Sequence, residues 1–293
     1  MKKTKNLSQI VLIAIFVLLC VVFLVPFLLV LSVSFSNEID VMNYGYSMIP
    51  KHFDTAAYRY VFKNAKTVLD AYAVTFGFSS LTMVLSVLVM AMAAYPLSRS
   101  YLRGRKGISF YFYFTMLFSG GMVPSYILIT QYLHLGNSFW VYVLPSLVNV
   151  WYVFMMRTFF SGTPEEIYES ALIDGANEYT ILFRIVLPIS KPVIATIALF
   201  MFLAKWNDWM TALLYIDNQR LVSLQYLLQR ILKNIELLQN MQVGSIESQA
   251  AADIPAETVR MAMAIVVAGP ALIVFPFFQK YFVKGLTVGS VKG

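Results

Sequence analysis

Few residues in this chain have types and spacing suited to chemistry. Lys205, Asn207 and Asp208 crowd around Trp206 in an otherwise apolar stretch, and Lys205 and Asp208 are spaced to meet on one helix face. Charges at membrane depth are functional candidates by default. Lys205, however, lies roughly 20 Å along its stretch at about 1.5 Å per residue. That depth is near an outer interface, where Trp206 and Trp209 would serve as belt aromatics. Pairing and anchoring is the favoured reading of these four positions, with direct contact to a passing solute as the alternative. His52 and His134 are isolated in loops without metal-ligand spacing, so no metal site is expected. The chain has no Gly-x-x-x-x-Gly-Lys-Ser/Thr phosphate loop and no Ser/His, paired-Asp or His-rich set within apolar stretches. No catalytic residue and no cofactor bound by this chain are therefore expected. The one cysteine, Cys20, sits in an apolar run and can close no intrachain disulfide.

The elements that position these residues must be membrane helices. Of the 293 residues, 59% are hydrophobic and 13% charged, against about 45–50% and about 25% in a soluble domain. So few charges cannot cover a soluble surface of this size. The net charge of +7 is scattered in short flanks rather than gathered on one face, which marks it as an orientation signal and not a nucleic-acid footprint. The run Ile10 to Leu31 follows Lys2, Lys3 and Lys5. It is too long for a signal-peptide core and lacks a cleavage site, so it reads as an uncleaved first span. Apolar stretches then predict spans at about 10–32, 71–97, 108–132, 139–156, 193–214 and 258–278. The expected architecture is all-α, with six transmembrane helices in a single domain, 1–293. Lys and Arg are about twice as dense in the segments that are inside if the N-terminus is cytoplasmic. Both termini, a loop at 157–191 and a tail at 279–293 then face the cytoplasm. Loops 33–70 and 215–257 face outward.

Breakers interrupt three spans: Gly120, Gly121 and Pro124 in the third, Pro145 in the fourth, and Gly269, Pro270 and Pro276 in the sixth. Kinked helices persist in lipid where neighbours or water satisfy the freed backbone groups, which favours a bundle around a cavity. A row of small residues in the second span (Ser79, Ser80, Ser86, Ala91, Ala93, Ala94) suits close helix contact. On the outer side Leu224, Leu227, Leu228, Ile231, Ile235 and Leu238 recur at helical spacing with Arg230, Lys233 and Glu236 between them. They predict an amphipathic helix on the outer interface, followed by a polar run from Gln242 to Asp253.

The strongest local pattern is the loop between the fourth and fifth spans. Thr163 can cap a helix, Pro164 suits its first position, and Glu165 and Glu166 meet the positive end of its dipole. The short helix runs to Asp174 and stops at Gly175. A second amphipathic stretch (Tyr179, Leu182, Phe183, Val186) is halted at Pro188, and Ser190, Lys191 and Pro192 restart a helix into the membrane. This is a rigid knob joined to a spanning helix, the kind of two-position element that force from a soluble partner can move.

These residues carry a resemblance. Glu169-Ser170-Ala171, three residues, Gly175, nine residues, then Ile185-Val186-Leu187-Pro188 resembles the Glu-Ala-Ala loop of permease subunits of bacterial binding-protein-dependent ABC importers, with Ser170 for the usual alanine. Trp206-Asn207-Asp208 and the end Lys284-Gly285-Leu286-Thr287-Val288-Gly289-Ser290-Val291-Lys292-Gly293 resemble the maltose-type carbohydrate branch. The run Phe118 to Tyr126 is similar to a subgroup handling oligosaccharides from complex polysaccharides.

The resemblance implies a type I ABC importer permease fold in the bacterial plasma membrane. It implies an ATPase-coupling loop over 163–188 that includes Glu169, Ser170, Ala171, Asp174, Gly175, Ile185, Leu187 and Pro188, and an ATPase-contacting tail that includes Gly285, Gly289 and Lys292. The implied partners are a second, different permease subunit, an ATP-binding-cassette ATPase dimer that uses ATP and Mg, and an extracytoplasmic sugar-binding protein that the run Gln242 to Asp253 would reach. Nucleic acid is not among them. The alternative reading is an ion-coupled secondary carrier or channel, which would need ionisable residues mid-span or an inverted repeat. Neither is visible in the sequence.

Overall fold

The computed structural model describes residues 2–241 and 255–288. Helices joined by short turns make up this part of the chain, and an isolated bridge between Ser36 and Phe53 is the nearest approach to a sheet among the described residues. In chain order the helices are α1 (Lys2–Ser34), α2 (Glu38–Tyr44), α3 (Ala56–Val61), α4 (Ala65–Ser98) and α5 (Arg105–Leu117). Then come α6 (Met122–Tyr132), α7 (Trp140–Ser146), α8 (Val150–Ser161), α9 (Glu165–Ile173), α10 (Glu178–Ile189) and α11 (Lys191–Trp206). The series ends with α12 (Met210–Tyr215), α13 (Leu224–Met241) and α14 (Ala256–Val288).

Among the described residues, three helices are long and apolar enough to cross a membrane: α1 from Ser8, α4, and α14 as far as Val274. The count rises to six if each of three bent pairs is one span. In the pair α5–α6 the bend is 108°, far sharper than a kink. Its cause is the Ser119-Gly120-Gly121 break, where Gly121 takes φ +88°, a region other residues enter only with strain. Between α7 and α8 the bend is 51°, and Pro145 lies in a short 3₁₀ turn, Leu144–Ser146, that ends α7. The expected fifth span, 193–214, also divides. α11 stops at Trp206 with Asn207 as its C-cap, and α12 starts afresh at Met210. From Ile10 to Leu28 the apolar side chains of α1 are exposed, as a lipid-facing helix requires.

The chain divides into two compact units, Met1–Val68 with Leu228–Pro270 and Leu69–Leu227 with Ala271–Gly293. Within the second, small residues of α4 (Ser79, Ser86, Ala91, Ala94) are fully buried, so their lack of bulk permits close packing there. Within the first, the Glu38 carboxylate accepts from the backbone N–H of Glu257 (2.9 Å), the N–H of Thr258 (2.9 Å) and the Thr258 hydroxyl (2.7 Å). It thereby satisfies donors that the first turn of α14 leaves free. The histidine read as isolated is not so: His52 Nδ1 lies 2.8 Å from Asp40 Oδ2. α13 differs from the expected interfacial helix, because Leu224, Leu227, Leu228 and Ile235 are buried inside the protein rather than laid on lipid. The run Gln242 to Asp253 lies outside the described residues.

Candidate functional site

The loop between α8 and α11 is a folded foot in the second unit. α9 begins at Glu165 rather than at Pro164, and Thr163 does not cap it: Pro164 occupies the cap position with ψ 139° and no side-chain cap bond. The positive helix end is met by Glu165 and Glu166. Its other end is a Schellman turn. Gly175 (φ +79°) donates to the Leu172 carbonyl at 3.0 Å, and Ala176 to the Ala171 carbonyl at 2.9 Å. Asn177 then caps α10 by accepting from the Thr180 N–H at 2.8 Å. Pro188 does not halt this second helix. α10 runs on to Ile189 through a π-helical stretch at Ile181–Val186, a device that eases the fit of a proline whose own N–H is missing. The break falls at Ser190 instead, where α11 leaves at 82°.

Periodicity separates the foot into a root and a tip. Tyr168, Ala171, Ile181, Leu182 and Val186 join one buried cluster with Ala94 and Leu97 of α4, Met156 and Phe160 of α8, and Ile197 of α11. Ile185 and Leu187 are half-buried against it. A side chain larger than that of Ala171 would force α9 away from this cluster. At the tip, Glu169, Ser170 and Asp174 are exposed, Pro188 is exposed on α10, and Ile173 is 86% exposed. It is the most exposed apolar side chain of the foot, ahead of Tyr179 at 73%.

Polar groups from the end of α4 grip both arms of the foot. Arg99 is buried, with its guanidinium carbon 3.3 Å from the centre of the Tyr168 ring and its Nη2 donating to Glu165 Oε1 at 3.1 Å. The Glu178 carboxylate on the other arm accepts from the hydroxyl of Tyr95 and from that of Tyr101, the latter at 2.6 Å. Burial first, then the bond to Glu178, raise the Tyr101 phenol above its ordinary value, so it keeps its donor proton at physiological pH. Tyr168 donates to the Phe160 carbonyl at 3.2 Å, and Ser161 to the Ser98 carbonyl at 3.3 Å. Displacement of the foot therefore has to move the end of α4 or break these bonds.

Sequence reasoning singled out the foot but not its grip. Arg99 read as one of several orientation charges. Glu178, which is 83 residues from Tyr95, offers no local signal of a partner. Ile173 stands between two recognised motif positions and could have been found from the helical wheel alone.

The second candidate cluster closes on itself. Asp208 Oδ2 accepts from Lys205 Nζ at 2.8 Å and from the Thr211 hydroxyl at 2.8 Å, while Oδ1 accepts from the Thr211 N–H at 3.0 Å. Asn207 Oδ1 accepts from Gln225 Nε2 at 2.9 Å. The carboxylate thus holds the helix break between α11 and α12 together. Trp206 is not a belt aromatic. It is 2% exposed and stacks on Phe202 with ring centres 5.8 Å apart, because the helix face it occupies turns inward. Gly285 lies in α14, whereas Gly289 and Lys292 lie outside the described residues. Among the described residues, no group of three or more His, Cys, Asp or Glu could hold a metal ion.

Residues 71–288 match the family described as binding-protein-dependent transport system inner membrane component. The chain is 40% identical, over 95% of its length and 94% of the relative's, to the polygalacturonan/rhamnogalacturonan transport system permease protein of Bacillus subtilis. It is 30% identical to the arabinooligosaccharides transport system permease protein of Halalkalibacterium halodurans, over 92% of this chain and 91% of the other. Among solved structures, a chain of a bacterial ABC transporter involved in the import of the acidic polysaccharide alginate superposes with a TM-score of 0.77. It shares 27% identity, with 96% of this chain and 98% of that chain covered.

Proposed function

The chain belongs to the family of binding-protein-dependent transport system inner membrane components, a transport permease subunit rather than an ion-coupled carrier or channel, and from that premise we propose that it lines half of an ATP-driven oligosaccharide route. The foot Glu165–Ile189 is the input. A separate ATPase dimer, using ATP and Mg, grips the tip around Glu169, Ser170, Ile173, Asp174 and Gly175. Closure of that dimer pushes the foot, and the packed root carries the push into α4, α8 and α11. A second permease subunit forms the other half of the route, and an external sugar-binding protein delivers the solute. The tail with Gly285, Gly289 and Lys292 runs along the ATPase. In this reading nucleotide is held by the ATPase dimer.

The observation that carries the reading is the contrast along α9: a root sealed by Tyr168 and Ala171 and a tip left open at Ile173. Oligosaccharides rich in uronic acid are the proposed cargo. The support is that the relative from Bacillus subtilis is named for polygalacturonan and rhamnogalacturonan, and the solved transporter for alginate. Lys205, Trp206, Asn207 and Asp208 shape the outer mouth by bracing the α11–α12 break rather than by touching the sugar.

The test is Ile173→Glu in the intact importer. The variant should reach the membrane at the normal level, lose the co-purifying ATPase and lose uptake. Retained ATPase together with normal uptake would overturn the assignment of the tip.

A further inference from the structure

A cavity of about 910 Å³ opens beside the α4–α5 turn. Three cations line it, Arg105, Lys106 and Arg157, together with Ser109, Phe110 and Tyr113. No carboxylate lines it, and among the described residues none of the three cations has a salt-bridge partner. Arg157 Nη1 donates to Ser109 Oγ at 3.1 Å, and Ser109 Oγ in turn donates to the Arg105 carbonyl at 2.7 Å. One hydroxyl thus ties the guanidinium of α8 to the first turn of α5. Like charges drawn together without a counter-charge destabilise the arrangement that holds them. The placement is adverse a second way, since Arg105 and Lys106 open α5, where the helix dipole disfavours cations. No acidic residue stands in that first turn. An anion in the cavity would reverse the sign of both effects.

The walls decide what kind of anion. Phe110 is 67% and Tyr113 49% exposed, and both continue down α5 among other exposed apolar side chains, Phe114 and Leu117. A small free anion would leave that surface bare, whereas an anion carrying acyl chains would cover it. We propose that this cavity binds the phosphate headgroup of an anionic phospholipid, its acyl chains lying along α5. Basic pockets at the ends of membrane helices recognise such headgroups. The bound lipid would fix the α4–α5 turn, from which Tyr101 reaches the foot, and so make the grip on Glu178 sensitive to membrane composition.

The test uses the full importer purified in mild detergent, with phosphatidylglycerol and phosphatidylcholine as probes and retained phospholipid read by native mass spectrometry. Phosphatidylglycerol should be retained in preference. The variant Arg105→Gln/Lys106→Gln should retain it about thirtyfold less, from the loss of two cations near the membrane surface. Arg157→Gln serves as an independent check, judged only if its thermal midpoint is unchanged. Equal retention of phosphatidylcholine, or unchanged retention by the double variant, would overturn the proposal. Displacement of the lipid by inorganic phosphate alone would reassign the cavity to a soluble phosphate and overturn the lipid assignment too. None of these readouts depends on transport, so the proposal stands or falls apart from the role given to the foot.

Discussion

Replacing Tyr95 and Tyr101 together by phenylalanine removes both donors from Glu178 while leaving every ring in place. Tyr95 is 6% exposed, so its bond to a carboxylate contributes about 1.5 kcal/mol, the low end for a charged acceptor because Glu178 can regain water. Tyr101 is 56% exposed, which reduces its share to about 0.5 kcal/mol after screening by solvent. Together these come to about 2 kcal/mol, or roughly a thirtyfold rise in the population with α10 detached from α4. Hydrogen exchange of the amides in 178–189 reads that population directly. The reconstituted importer gives the second readout, as sugar moved per ATP hydrolysed. The expected result is faster exchange confined to α10, with ATP hydrolysis retained and transport per ATP reduced. Adding Glu178→Gln to the pair should cost nothing further, because the bonds it would remove are already gone. Unchanged exchange together with unchanged coupling would refute the view that the end of α4 grips the foot.

Other predictions follow from the same geometry. Gly175→Val places a β-branched residue at φ +79°, where its Cβ meets nothing within 4 Å. The cost is then backbone strain of about 1–2 kcal/mol; the protein should insert normally but hydrolyse ATP without moving sugar, and normal uptake would count against the elbow. Lys205→Met leaves Asp208, whose side chain is 12% exposed, as an uncompensated carboxylate and should destabilise by about 3 kcal/mol. The double variant Lys205→Met/Asp208→Leu should recover part of the thermal midpoint; equal losses in both would place the cost elsewhere. Glu38→Gln weakens the acceptor at the start of α14 and should cost about 1 kcal/mol, read as a lower thermal midpoint with ligand-stimulated ATPase activity intact. Uptake by the assembled importer should favour galacturonate oligosaccharides over neutral ones of equal length, and the reverse preference would remove the proposed cargo.

How much of the site was legible can be argued residue by residue. Gly175 was readable as an elbow because a helix that ends beside exposed polar residues needs a residue tolerant of positive φ, and that requirement is local. Ala171 was readable as a motif position, but its burial against α4 and α8 was not. Pro188 misled, because a proline removes one bond wherever it stands, while the π-helical stretch that absorbs the loss depends on what α10 packs against. Trp206 misled for the same reason. An aromatic near a membrane boundary reads as a belt residue until the direction of its helix face is known.

Composition and periodicity determined that this chain is helical and lies in a lipid bilayer, and the spacing from Glu169 to Pro188 determined where it carries a foot. These are consequences of local chemistry: how many apolar residues follow one another, and which residue can end a helix. Tertiary structure alone decided that Arg99 sits on Tyr168, that Tyr95 and Tyr101 share one carboxylate, and that Arg157 joins Arg105 and Lys106 in one cavity beside Ser109. Each joins positions tens of residues apart, and the choice of partner across such a distance follows from how helix faces pack, which no local pattern encodes.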